Sequence, residues 1–220
     1  FGVGSSNRLY TVNPSTGAAT QVGSGTFAVG LSGTNFGVNF NPVADRIRVV
    51  SDATQNLRLN PNDGTVVGGV ADTNLTYANA ALGTPNIFGT SYENSVAGAL
   101  PTRQFFLDPV RDLLGVINFP NANFNAGVIN AVGSLGVNIA SNAPLGFDIS
   151  AVTGLAYLSS GNNLWTVNTA TGAATLVGSV GVGSGQNVTA ISASPVPEPG
   201  TWSMMIGASL VMAGLWRRRR

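Results

Sequence analysis

Residues 9–24, LYTVNPSTGAATQVGS, return at 164–179 as LWTVNTATGAATLVGS, with twelve of sixteen positions identical. A recurrence of this kind limits the fold to architectures that stack one small unit several times. Each copy reads as a hairpin. A five-residue alternating strand runs into Asn-Pro-Ser-Thr-Gly or Asn-Thr-Ala-Thr-Gly, and a second short strand follows. Pro14 suits the early corner of a turn, and Gly17 and Gly172 supply the positive φ that reverses the chain. A looser copy, NLRLNPNDGTVVGG, occupies 56–69.

A second repeat lies between the copies. NPVADRIRVV (41–50) matches DPVRDLLGVI (108–117) in Pro, Val, Asp and Val at equal spacing. Residues 36–69 then supply four short strands, GVNF, RIRVV, NLRLN and TVVGG. Residues 146–180 supply four more, GFDIS, GLAYLSS, NLWTVN and ATLVGSV, and residues 86–137 a third, less regular set. Four-stranded units in series predict an all-β chain with β-propeller blades, the alternative being a β-sandwich with a coincidental repeat. Residues 1–24 hold about three strands, and residues 187–194, NVTAISAS, read as a lone strand that completes an early blade and closes the ring. The expectation is about four blades here. It rises to five in the intact protein if residues 1–24 are what remains of a truncated first portion, since the chain opens at Phe1 without Met, basic n-region or apolar h-region. No segment before Trp202 has sustained helical periodicity.

Only 9% of residues are charged, 44% are hydrophobic, and His, Cys and Lys are absent. No thiolate nucleophile, disulfide, Cys/His zinc site, Ser-His-Asp triad or lysine Schiff base can be built from such a chain. The net charge of +1 is set by its end, because Arg217, Arg218, Arg219 and Arg220 hold four of the ten Arg. The six remaining Arg are scattered among slightly more numerous acids, so no basic face for nucleic acid is expected.

The C-terminus reads as an address. Pro197, Glu198 and Pro199 precede fifteen uncharged residues, Trp202 to Trp216, and then the Arg cluster. As a helix, fifteen residues reach about 22 Å, short of a ~30 Å hydrocarbon core but extendable by interfacial Trp and snorkelling Arg. The cationic end stays cytoplasmic and places residues 1–196 across the membrane. Pro-Glu-Pro, apolar span and Arg cluster in this order resemble the PEP-CTERM sorting signal of Gram-negative bacteria. That resemblance implies processing by a membrane exosortase, passage through the inner membrane, and release to a cell surface or exopolysaccharide matrix. The chain thus divides into a body, 1–195, and a sorting tail, 196–220. The body resembles a bacterial family, domain of unknown function 4394, on FGVNFNPVADRIRVVSDATQNLRLNPNDG (36–64), SYENSVAG and LGFDIS. That family has no assigned activity, so the resemblance implies location and shape rather than chemistry.

Chemistry-bearing candidates are few. Asp45 and Asp112 hold equivalent turn positions beside Arg46 and Arg111, and with Asp108 they are the carboxylates a hydrolase or lyase would use. The opposing reading is that such Asp residues cap turns through backbone N–H groups. Asn60, Asn62 and Asp63 offer oxygens to Ca2+, though without the residue order of a calcium loop. Tyr10 and Trp165 share one repeat position and read as packing between blades. Neither a phosphate loop nor a nucleophile elbow is present. The function expected is non-enzymatic display: a nearly charge-free scaffold offering Asn, Thr and Ser to envelope polysaccharide. The alternative is a secreted carbohydrate-active or lactone-type enzyme using the three Asp residues.

Overall fold

A computed structural model describes residues 1–98, 100–118, 123–139, 145–180 and 187–193. Alternating apolar residues and turn-forming pentapeptides fold these into four small antiparallel meanders in chain order. The first sheet is β1 (Gly2–Gly4), β2 (Arg8–Val12) and β3 (Ala19–Gln21), and the second is β4 (Phe36–Asn41), β5 (Arg46–Ser51) and β6 (Asn56–Leu59). The third orders β7 (Thr76–Tyr77), β8 (Gly89–Tyr92), β9 (Gln104–Asp108), β10 (Leu113–Ile117) and β11 (Val128–Ser134) as β7-β11-β10-β9-β8. The fourth runs β12 (Leu145–Ile149), β13 (Ala156–Ser160), β14 (Asn163–Val167) and β15 (Ala174–Ser179).

The fold is therefore all-β, with four sheets where a sandwich would have two. Among the described residues the pairing closes no barrel or ring, and no helix is long and apolar enough to cross a membrane. The apolar stretch 202–216, the Pro-Glu-Pro motif and the Arg cluster lie outside the described residues.

Three expectations from the strand pattern change. TVVGG adds only one bridge, Leu59 to Val66, because Val67–Gly69 turns into a 3-10 helix in which Gly68 and Gly69 both have positive φ. The third set gains a fifth strand, β7, paired in parallel with β11. Residues 187–193 pair with no sheet. They cross β12 instead, with Val188 N–H donating to Gly161 O (2.7 Å) and Ala193 N–H to Asp148 (2.8 Å).

Alternation along each strand builds the cores. Ile47 and Val49 of β5 point into a cluster with Leu9 of the first sheet, while Val50 points the other way, against Phe106 and Ile129 of the third. Phe105 and Leu107 of β9 face Trp165 and Val167 of the fourth. Each inner sheet is thus covered on both faces, which explains strands buried along their whole length. The outermost faces differ. Val12 is 45% exposed, whereas Val167, its counterpart in the repeat, is 5% exposed.

Just past β5, Asp52 anchors the loop that leads into β4. Its carboxylate accepts from Thr34 N–H (2.9 Å) and Oγ1 (2.5 Å), and from Asn35 N–H (3.1 Å) and Nδ2 (2.9 Å). Partial burial pushes this carboxyl up, but the hydrogen bonds from Thr34 and Asn35 together outweigh it and hold the pKa below 3.8. A lowered folded-state pKa contributes stability that is fully present above 3.8 and lost as pH falls through the lowered value. Asp52→Asn is expected to unfold at lower temperature than the wild type at pH 7, with the gap narrowing on acidification. Thermal midpoints from pH 7 to pH 2 check it; a constant gap would be inconsistent with this linkage.

Candidate functional site

Six loops share one construction. Asn13–Gly17, Asn41–Asp45, Asn60–Gly64, Asp108–Asp112, Ser150–Gly154 and Asn168–Gly172 each begin with a side-chain acceptor and end in a residue of positive φ. The first side chain accepts from backbone N–H groups two or three residues on: Ser15 and Thr16, Val43 and Ala44, Asn62, Arg111, Thr153, or Ala170 and Thr171. Gly fills the last position in four loops. Asp45 and Asp112, both at φ 51°, fill it in two, where a short polar side chain tolerates the left-handed region.

This placement separates the carboxylates expected to act together. Asp45 stands exposed at the end of its loop. Asp112 binds the hydroxyl of Ser134 and the N–H of Gly136 (3.2 Å). Asp108, 1% exposed, accepts from Tyr77 Oη (2.8 Å), Asn86 N–H (2.9 Å) and Arg111 Nη1 (3.0 Å). Burial first, then the Asp108 charge, pushes the Tyr77 phenol far above its ordinary range. None of the three carboxylates lines either of the two cavities described below. In the proposed calcium loop, Asn60 Nδ2 donates to Asp63 (2.9 Å), while Asp63 accepts from Thr65 N–H (2.9 Å) and Oγ1 (2.7 Å). Those hydrogen bonds from Thr65 hold the Asp63 carboxyl below its usual value. The side-chain oxygens of Asn60 and Asp63 are thus already used in a turn, and among the described residues no cluster of three acids stands ready for a metal. Trp165 packs in the core between the third and fourth sheets, but Tyr10 is only half-buried.

The edge strands β1, β4, β8 and β12, one from each sheet, bring together residues that the sequence reading did not single out. Phe1-Gly2, Phe36-Gly37, Phe88-Gly89 and Leu145-Gly146 open β1, β4, β8 and β12, and all eight line one cavity of about 690 Å³. Glycine is required on two of these strands: a Cβ on Gly37 would stand 2.6 Å from Thr90 N of β8, and one on Gly146 2.5 Å from Ile191 N of the segment 187–193 that crosses β12. Three residues on, Asp148 ties the strands together. It accepts from Asn39 Nδ2 (2.9 Å) of β4, Ser91 Oγ (2.9 Å) of β8, and the N–H groups of Ile149 (2.9 Å) and Ala193 (2.8 Å). Asn39 Oδ1 in turn accepts from Tyr92 N–H (3.1 Å). Neutral donors hold this carboxylate, and among the described residues no other acid lines the cavity. The arrangement can seat a ligand by apolar contact and hydrogen bonding, but it supplies no acid–base pair.

A second polar centre lies within the second sheet. Arg48, 2% exposed, donates to Asp72 (2.6 Å), Asn56 Oδ1 (2.8 Å), Asn125 Oδ1 (3.0 Å) and Tyr92 Oη (3.4 Å). Tyr92 in turn donates its O–H to Gln104 Oε1 (2.9 Å), and burial pushes its pKa up. Arg58, directly across the ladder from Arg48, grips the same Asp72 with two bonds of 2.7 and 2.8 Å. An R-x-R strand facing an L-R-L strand was the available signal, though nothing local marks Asp72 as their shared partner.

Comparison with known proteins finds both families that the residues resemble. A family model described as Domain of unknown function (DUF4394) matches residues 1–192, and a PEP-CTERM protein-sorting motif matches residues 195–220. Among curated proteins, none matches.

Proposed function

This chain belongs to the DUF4394 family and ends in a PEP-CTERM motif, which marks a protein exported and sorted by an exosortase, and from that premise we propose that it is a non-enzymatic display scaffold of the cell surface or matrix. The body, 1–195, presents ligand-binding loops. The tail, 196–220, is the sorting signal, with 202–216 held transiently in the inner membrane. The four meanders are propeller blades, with β1, β4, β8 and β12 innermost around the 690 Å³ cavity.

The observation that carries this reading is the chemistry of the loops. In four of the six loops, 13–17, 60–64, 150–154 and 168–172, the first side chain is committed to the backbone and Ser, Thr or Asn residues such as Ser15, Thr16, Asn62, Thr153 and Thr171 follow it facing solvent, while the other two present Val43 and Val110. Such loops offer many neutral hydrogen bonds on a rigid frame, which suits hydroxyl-rich polymers. The alternative, a hydrolase or lyase using Asp45, Asp108 and Asp112, finds Asp45 exposed at one turn and Asp108 and Asp112 each engaged in hydrogen bonds within another.

The test is retention. The full chain, kept in mild detergent, should be held on columns of immobilised envelope polysaccharide and released by the soluble polymer. A chain that elutes with the void volume from every polysaccharide tried would remove the basis for display.

A further inference from the structure

The body carries only six Arg, and three of them meet at one small cavity. Arg46 and Arg48 lie two apart on β5 and so share a face, and Arg58 stands opposite Arg48 on β6. Like charges directly opposed across a ladder destabilise it unless something neutralises them. Asp72 does so for the buried pair, yet it is one carboxylate for two guanidinium groups.

Arg46 adds a third positive charge. Its single side-chain bond is from Nη1 to the Asp45 carbonyl (2.6 Å), so Nε and Nη2 have no partner among the described residues. Arg58 commits Nε and Nη2 to Asp72 and keeps Nη1. Asp63 lies near enough to Arg46 to feel its charge. Arg48 and Arg58 share Asp72, whereas Arg46, with Asp45 and Asp63 as its neighbouring acids, makes no ion pair with a carboxylate among the described residues.

The cavity holds about 170 Å³, comparable to spaces that take one six-membered ring. Phe124 forms an apolar wall, braced edge-on against Tyr92 at 5.4 Å, and Asn123 and Asn125 add amides beside it. One guanidinium without an ion-pair partner, Arg46, matches a monoanion better than a phosphate dianion. Arginine forks suit the two oxygens of a carboxylate. A flat apolar wall and amides suit the ring and hydroxyls that would accompany it.

We propose that Arg46, Arg48 and Arg58 form a binding site for the carboxylate of an acidic sugar residue. The proposal rests on the display reading only for the polymer that carries the sugar. The experiment uses the full chain in mild detergent, with polygalacturonate, its methyl ester, neutral dextran and free acetate as probes. Polygalacturonate should bind more tightly than its ester, more weakly as salt is raised, and in competition with millimolar acetate. Arg46→Gln leaves the Arg48–Asp72–Arg58 group intact, so it should keep the wild-type thermal midpoint and bind polygalacturonate about tenfold more weakly. Arg58→Gln should weaken binding as well. Equal affinity of wild type and Arg46→Gln, or equal affinity for polygalacturonate and its ester, would overturn the proposal. Dextran separates the two readings. Dextran retention without a preference for the acid removes the anion site and keeps display, whereas acid binding that acetate abolishes, with no polymer retained beyond it, keeps the site and removes display.

Discussion

Asp72→Ala is expected to lower unfolding stability by about 3–5 kcal/mol, the range for stranding a buried charge. Arg48 is 2% exposed, and without Asp72 its remaining partners, Asn56, Asn125 and Tyr92, are all neutral. Arg58 would lose both of its ion-pair bonds and face Arg48 across the ladder as an uncompensated like charge. Asp72→Asn should cost nearly as much, since an amide keeps the shape but not the charge. Urea unfolding followed by fluorescence of the core residue Trp165 measures both. A double replacement, Arg48→Met with Asp72→Leu, should recover much of the loss, because the cost lies in the unpaired ion rather than in the pair itself. If Asp72→Ala alone lay within about 0.5 kcal/mol of the wild type, typical of an uninvolved surface position, the buried guanidinium would have to find another counter-charge.

What could be read in the residues, and what could not, divides by distance along the chain. The turns were legible because Asn or Asp at the first position, and Gly at the fifth, act within five residues. The same rule corrects the paired-carboxylate idea: Asp45 and Asp112 occupy the fifth position, where φ is 51° and four sister loops use Gly. Repeat equivalence predicted that Tyr10 and Trp165 would pack alike, but burial depends on what lies opposite. The third sheet covers Trp165 and Val167, while no cluster among the described residues forms over Tyr10 and Val12. Asp148 was out of reach for sequence reasoning, since its partners Asn39 and Ser91 lie 109 and 57 residues away. Phe-Gly at 1, 36 and 88 and Leu-Gly at 145 were visible in principle. They form a faint further repeat that gains meaning only once β1, β4, β8 and β12 converge on one cavity.

That convergence predicts a graded response to adding a single methyl group. Gly37→Ala should destabilise by about 1–3 kcal/mol or more, as overpacking does where neighbours cannot move. Its Cβ would meet backbone on β8, Thr90 N at 2.6 Å and Gly89 C at 2.8 Å, so relief requires the second and third sheets to part. Gly146→Ala should cost a similar amount, since it meets Ile191 N at 2.5 Å and Ala190 C at 2.8 Å. Gly89→Ala is expected to cost less, because its nearest neighbours are Leu145 Cδ1 at 2.9 Å and Phe147 Cβ at 3.0 Å, and the leucine tip can rotate away. Gly25 has open space around it, so Gly25→Ala serves as the reference and should change stability by no more than about 0.5 kcal/mol. Denaturant midpoints for the four variants give the order directly. If Gly37→Ala and Gly146→Ala behaved like Gly25→Ala, these edge strands would not be packed backbone to backbone, and a shared cavity between them could not be the scaffold's centre.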